Sequence, residues 1–230
     1  FYFLWCAAVA LPHLLRLLWQ CLSWQGSPFS LRPPFSQDSS FSLPFISLLA
    51  AWGFLTNAAL WLVFDRFDAQ PLGFSAWIVL LTGAHFHYAG FALMLAIALL
   101  LQQNTADKWA KTAAFSVLVG VVLTATGITT TQIGLPHWIE TVAGAAMALA
   151  ATGAGVVFIR ASRAEVRATR WLWLLGGLCL FGTMLLALLY ALRPVFPLFW
   201  LNMPLMQAVH GSVNALGFGT LMLLGWKFKP

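Results

Sequence analysis

The sequence predicts an all-α fold, a polytopic transmembrane helical bundle of about seven spans. Apolar residues make up 61% of the 230-residue chain and charged residues only 8%, so the chain is too poor in charge to solvate the surface of a soluble domain. Seven apolar segments are long enough to cross a hydrocarbon core about 30 Å thick as helices. Runs of this length exclude the roughly ten-residue strands of a membrane barrel.

The predicted spans follow one another with short connections. They cover residues 1–22, 41–64, 73–101, 112–133, 137–160, 170–192 and 199–226. We interpret residues 1–230 as a single transmembrane helical domain. Because the chain begins with Phe1 and an apolar run, we expect it to be part of a longer protein. The Ser/Pro-rich segment 23–44 is expected to be a loop, since proline interrupts helices.

Basic residues set the orientation. One set of loops carries nearly all of them: Arg32, Lys108, Lys111, Arg160, Arg163, Arg167, Arg170, Lys227 and Lys229. By the positive-inside rule these loops are cytoplasmic, which places the start of the chain outside and its end inside. The net charge of +6 therefore reflects topology. We expect the lipid bilayer to be the partner of this chain, and we expect no nucleic acid.

The fifth span, residues 137–160, is crowded with glycine and alanine, including the run Gly153-Ala154-Gly155. Inside a membrane no hydrophobic effect drives helices together, and small residues instead allow backbones to approach closely. We expect this helix to pack tightly against its neighbours.

Two polar segments interrupt the apolar spans. The first contains His85, His87 and Tyr88 in the third span, and the second contains His210 in the seventh. An ionisable side chain in a span costs a few kcal/mol unless it faces protein or water, which makes it a candidate for a functional site. Counted from the outer ends of their spans, His85 and His210 both fall near mid-membrane.

Helical periodicity arranges these residues further. Residues of a regular helix advance by about 100°, so His85 and His87 project on nearly opposite sides of the third span. The simplest geometry is a central third helix surrounded by the others. On the seventh span one face combines five residues: Met203, Gln207, His210, Asn214 and Gly217.

Glu140 lies near the outer start of the fifth span. A carboxylate in the first turn of a helix is stabilised by the helix dipole, which is a sufficient structural reason for it. Alternatively it acts as a gate or a proton acceptor at the mouth of a cavity, with Arg193 as its ion partner. The candidates for a substrate or proton site are therefore His85, His87, Tyr88, Glu140, Gln207, His210 and Asn214.

Three functions for the histidines remain open. In a transporter or solute-binding protein, His, Asn, Gln and Glu inside a bundle relay protons or bind a small polar solute. In a membrane-embedded enzyme, His85, His87 and His210 would bind a metal or a haem, although no HxxxH spacing occurs. In a structural protein they would be interhelical hydrogen-bond partners. No nucleophile motif or nucleotide loop is present, so whether the chain is an enzyme stays open.

Two short motifs carry a family resemblance. The segment His85-Phe86-His87-Tyr88-Ala89-Gly90-Phe91, together with residues 210–218, resembles the YndJ-like family. This resemblance implies a multi-pass protein of the bacterial cytoplasmic membrane, sometimes labelled a transporter. It marks five positions as typical of the family: His85, His87, Tyr88, His210 and Asn214. The chain resembles, more weakly, the seven-helix zinc hydrolases of the ceramidase and adiponectin-receptor kind. Asn at position 214 argues against a hydrolytic zinc site here.

Overall fold

A computed structural model of the protein describes residues 8–9, 11–13, 15–16, 42–104 and 106–229. In these residues six helices are long and apolar enough to cross a membrane, and we name them α1 to α6. They are α1 (Leu43–Arg66), α2 (Ala76–Gln103), α3 (Lys108–Gln132), α4 (Trp138–Ala161), α5 (Arg167–Ala191) and α6 (Met203–Lys227). The all-α fold is confirmed, and the protein is a multi-pass integral membrane protein.

The helices match the second to seventh predicted spans to within a few residues. Most of the first predicted span, 1–22, lies outside the described residues. The largest differences at a helix start are four residues: α6 begins at Met203 where the sequence predicted 199, and α3 begins at Lys108 where it predicted 112. Asp107 explains this start, because its side chain accepts hydrogen bonds from the backbone of Trp109 and Ala110 and so caps the helix.

The segment 23–44 was predicted to be a loop throughout, and its last residues are helical instead. Leu43 and Pro44 form the start of α1. Proline fits the first turn of a helix, because the N–H that it lacks would have no partner inside the helix there. The rest of this segment, 23–41, lies outside the described residues.

The helix α2 is central over only part of its length. Its second half is largely buried, from Leu93 to Leu101, and it packs on α1 and α3. In its first half Trp77 and Tyr88 are exposed. The prediction of a third span enclosed on all sides is therefore wrong for the half that carries the histidines.

Close packing of the glycine-rich helix α4 is confirmed. A Cβ atom added to Gly155 would lie 3.0 Å from the carbonyl oxygen of Gly177 on α5, and one added to Gly177 would lie 3.0 Å from that of Gly155. Only glycine permits this approach of the two backbones. The backbones of α4 and α5 are thus in direct contact at this crossing.

Two inter-helix connections and the end of α6 meet at one end of the bundle, which we call the basic end. There Nζ of Lys229 donates to Oε1 of Gln103 at 2.6 Å and forms an ion pair with Glu165. The same ammonium group lies 4.9 Å from the ring centre of Trp173. These contacts join the ends of α2 and α6 to the connection between α4 and α5. Arg160 and Lys108 lie at this end as well, on either side of Trp109.

Candidate functional site

Both histidine segments adopt a wider helix than an α-helix. In α2 the residues Phe86–Ala92 are π-helical, and in α6 the same holds for Met206–Gly211 and Val213–Gly219. The N–H of Leu93 donates to the carbonyl of Tyr88, five residues earlier. Such i to i+5 turns are rare in proteins and occur often at functional sites. In the described part of the chain, the π-helical turns coincide with the two segments that the sequence singled out.

The π turns change which residues share a face of α6. The sequence placed Met203, Gln207, His210, Asn214 and Gly217 together on the assumption of a regular α-helix. The buried positions instead follow a spacing of four residues around His210: Met206, Asn214, Phe218 and Met222. Four residues advance by about 400° in an α-helix, so the face would drift by about 40° at each step. The wider turns offset this drift.

His210 is held by the main chain of α5. Its Nδ1 lies 3.0 Å from the carbonyl oxygen of Thr183. A carbonyl oxygen only accepts, so Nδ1 carries the proton in this bond. In the neutral ring the other nitrogen, Nε2, then holds a lone pair. Half-buried His210 therefore has one nitrogen committed to the backbone and one that can accept a proton or a hydrogen bond.

Asn214 lies one turn further along α6 and contacts the same residue. The hydroxyl of Thr183 lies 2.8 Å from Oδ1 of Asn214 and 2.8 Å from the carbonyl oxygen of Cys179. The hydroxyl has one proton and cannot donate to both atoms. The pair is satisfied when the amide of Asn214 turns its NH₂ group to the hydroxyl, which then donates to Cys179. Thr183 thus bonds both His210 and Asn214 of α6.

His85 lies across from His210 and close to the same depth. It is the tenth residue of α2, about 15 Å from the helix start and so near the middle of a hydrocarbon core about 30 Å thick. The two rings are close enough for their charges to interact. The π segment of α2 also contacts the second π segment of α6, where the ring of Tyr88 packs 3.9 Å from the place of a Cβ on Gly219.

His85 differs from the other imidazoles of the spans in its surroundings. It is exposed although it lies near mid-depth, whereas His87 and His210 are only partly exposed. The candidate site therefore combines one imidazole bonded to Thr183 with one that is exposed at mid-depth.

The chain matches the model of the YndJ-like protein family over residues 2–218. This match covers most of the sequence and includes both histidine segments. The chain belongs to the YndJ-like family. No curated protein and no solved structure matches it. The family resemblance predicted from the two motifs is thus confirmed.

In this YndJ-like protein the structure does not bring all the predicted site residues together. The ring of His87 lies 5.0 Å from that of Tyr88 and 5.8 Å from that of Phe91. Phe91 in turn contacts Trp52 of α1, on which the ring of His13 stacks at 4.7 Å. These ring contacts link His87 to α1 through Phe91.

Glu140 lies apart from the imidazole pair. It is two residues after the start of α4, so it is about 3 Å from that end while His85 is about 15 Å deep. Its Cα is 3.0 Å from where a Cβ on Gly127 of α3 would lie. The guanidinium of Arg193 instead lies 3.9 Å from the ring centre of Tyr190. Among the described residues, Arg193 and Glu140 form no ion pair.

Gln207 lies one turn before His210, and its Nε2 is buried without a hydrogen-bond partner in the described part of the chain. A buried amide in this state costs free energy. Gln207 therefore has an unused donor close to the imidazole pair.

The described residues of this YndJ-like protein contain no preformed cluster of three potential metal ligands. Within the described residues no three His, Cys, Asp or Glu side chains lie together in a way that could hold a metal ion. His85, His87 and His210 therefore do not form a three-histidine set there. A metal ion bound by His85 and His210 would need further ligands of another kind, whereas a haem iron would need only these two imidazoles as axial ligands.

Sequence reasoning missed Thr183. It is buried in the middle of α5, and threonine is common in transmembrane helices because its hydroxyl can bond the preceding turn. The one signal was its position, level with His210 in the neighbouring helix. A search for polar residues at the depth of the histidines would have found it.

Proposed function

We propose that this YndJ-like protein moves protons or a small polar solute through a site built on His85 and His210. The observation that carries the proposal is the exposed imidazole of His85 in the middle of a span, beside a second imidazole. We further propose that the protein lies in the cytoplasmic membrane of a bacterium with its basic end in the cytoplasm, because the positive-inside rule favours that orientation.

The chemistry of the site supports this function. Nδ1 of His210 is bonded to the carbonyl of Thr183, so Nε2 is left to accept a proton or a donor group of a solute. The unpartnered Nε2 of Gln207 adds a donor within one turn of the same helix. A donor and an acceptor within one turn of each other can both bond a small polar molecule.

A purely structural role explains His210 but not His85. The bond from His210 to Thr183 joins α6 to α5, as interhelical hydrogen bonds do in membrane proteins. A residue that serves only to join helices gains nothing from an exposed ring at mid-depth. The exposure of His85 therefore favours transport or solute binding over a purely structural role.

Thiol labelling tests whether water reaches His85. In a background without Cys6, Cys21 and Cys179, we expect His85→Cys to react with a charged, membrane-impermeant methanethiosulfonate reagent, because thiolates form in water and not in lipid. Two matched controls should stay unlabelled: Val79→Cys, which is fully buried on the same helix, and Leu60→Cys, which is exposed to lipid on α1. If His85→Cys is as unreactive as these controls, the proposal fails.

Flux measurements then separate protons from solutes. Proteoliposomes with a trapped pH-sensitive dye report proton movement when a potassium diffusion potential is imposed. The variant His210→Asn keeps a nitrogen near the position of Nδ1, and therefore the bond to Thr183, but removes Nε2. If protons are the cargo, this variant should lose the flux while keeping its stability. If His85→Cys is labelled but the unsubstituted protein passes no protons, the cargo is a polar solute.

A further inference from the structure

We propose that the surface between α3 and α4 binds one anionic phospholipid, with an acyl chain in an apolar groove and the phosphate at Lys108 and Arg160. This site is separate from the histidine pair and does not depend on the function proposed above. Three observations carry it: the shape of the groove, the residues of its floor and rim, and the cations at its end.

The groove has a volume of about 520 Å³. On α3 it extends from Trp109 to Leu123, which is about 21 Å at 1.5 Å per residue. One leaflet provides half of a hydrocarbon core about 30 Å thick. The groove is therefore long enough for a whole acyl chain of one leaflet, and its volume falls in the usual range for a small-molecule site.

Small residues form the floor of the groove, and large apolar residues form its rim. The floor contains Ala113, Ser116, Gly120, Ala146, Ala150 and Gly153. At Gly153 a Cβ would meet no atom within 4 Å, so the floor is open there. Phe115, Leu123 and Leu149 on the rim are exposed, which gives a channel with apolar walls.

The basic end of the groove is charged in a way that fits a phosphate. At this end, Nζ of Lys108 lies 5.6 Å and the guanidinium carbon of Arg160 lies 5.2 Å from the ring centre of Trp109. In the described residues the ion pairs are Arg66 with Asp65 and Lys229 with Glu165. Lys108 and Arg160 therefore have no carboxylate partner there. The nearby Asp107 caps α3 with its side chain.

A second copy of the chain could also cover such a surface, and the charge of the groove's basic end distinguishes it from a lipid. Small residues on helices favour helix packing, so a dimer is the competing outcome. A second copy would bring the same two cations to the interface, and they would repel each other. An anionic headgroup neutralises both, and each basic residue near an anionic lipid surface strengthens binding by about fivefold. Trp109 fits the interfacial depth where aromatic rings concentrate.

Native mass spectrometry of the detergent-purified protein tests this site. We expect the unsubstituted protein to bind phosphatidylglycerol more tightly than phosphatidylcholine of the same chain length. The double variant Lys108→Gln and Arg160→Gln should lose the preference, with a change of about 25-fold for the two charges together. Equal binding of the two lipids by the unsubstituted protein would overturn the proposal.

A second experiment tests the site by filling the groove with a side chain. Gly153→Leu places a side chain in the open floor and should reduce binding of both lipids at least tenfold. Gly182→Leu on α5 is the matched control, because a Cβ at Gly182 also meets no atom within 4 Å but lies outside the groove. If Gly153→Leu binds phosphatidylglycerol as well as the control does, the groove is not the site. If it abolishes a dimer and leaves lipid binding unchanged, the occupant is a second copy and the proposal is wrong.

Discussion

Removing the hydroxyl of Thr183 should destabilise the bundle without releasing His210. Thr183→Val deletes the group that lies 2.8 Å from the side chain of Asn214, but it keeps the main-chain carbonyl that accepts from His210. Asn214 is only 9% exposed and would lose its partner on α5. The variant therefore separates the two bonds that Thr183 makes to α6.

The size of the effect follows from the burial of this pair. An interhelical hydrogen bond in a membrane protein contributes about 0.6 kcal/mol on average and about 1.7 kcal/mol at most. A buried polar group left without a partner costs about 1–3 kcal/mol. Since Val fills nearly the same space as Thr, little cavity is formed. We expect Thr183→Val to lower the free energy of unfolding by about 1–2 kcal/mol, a range set by these two figures.

A double-mutant cycle measures the pair directly. Thr183→Val, Asn214→Leu and the combined variant are unfolded in mixed micelles of increasing sodium dodecyl sulfate and followed by tryptophan fluorescence. The coupling energy should be about 0.6–1.7 kcal/mol. Nitrogen NMR of the His210 ring should show the same Nδ1 environment in Thr183→Val. Additive effects within about 0.3 kcal/mol would refute the bond, and a shifted Nδ1 signal would refute the role of the carbonyl.

Two further predictions use matched pairs of neighbouring residues and the same unfolding assay. Gly155→Ala should lower the free energy of unfolding by about 1–3 kcal/mol, because its Cβ would press on the backbone of α5. Gly153→Ala, whose Cβ would meet no atom within 4 Å, should leave it unchanged. Equal stabilities of the two variants would contradict the close crossing. Lys229→Gln should lower the free energy of unfolding by about 1–3 kcal/mol, because it leaves Glu165 without its ion partner. Lys227 is exposed, and Lys227→Gln should change the stability little. A larger loss of stability in Lys227→Gln would contradict the ion pair of Lys229 with Glu165.

Much of the fold could be predicted from hydropathy, because a bilayer demands helices of a certain length and allows few charges in them. Errors arose where local chemistry overrides hydropathy. The Asp107 cap starts α3 before its apolar run, and Pro44 starts α1 inside a segment that composition marks as a loop. Neither feature changes the number of spans, so the architecture was robust to them.

The site was predictable in part. Polarity and depth pointed to His85 and His210 as neighbours, which stays a prediction, although the π segments Phe86–Ala92 and Val213–Gly219 beside them are in contact. The π turns could not be read from the sequence, since periodicity arguments assume a constant 3.6 residues per turn. For that reason Met206 and Phe218 were missed as inward positions of α6. Thr183 was missed because a lone hydroxyl in an apolar helix does not differ from the many threonines that bond their own helix.

The widened turns of α6 make the number of residues in that helix as consequential as their identity. Each π turn holds one residue more than an α turn at a similar height, so loss of a single residue inside Met206–Gly211 or Val213–Gly219 would return that segment to ordinary winding and leave the residues beyond it facing the same way. The same loss elsewhere in α6, with no widened turn to absorb it, would rotate everything beyond it by about 100° relative to His210. One-residue gaps between aligned relatives should therefore be tolerated inside these two segments and not in the rest of α6.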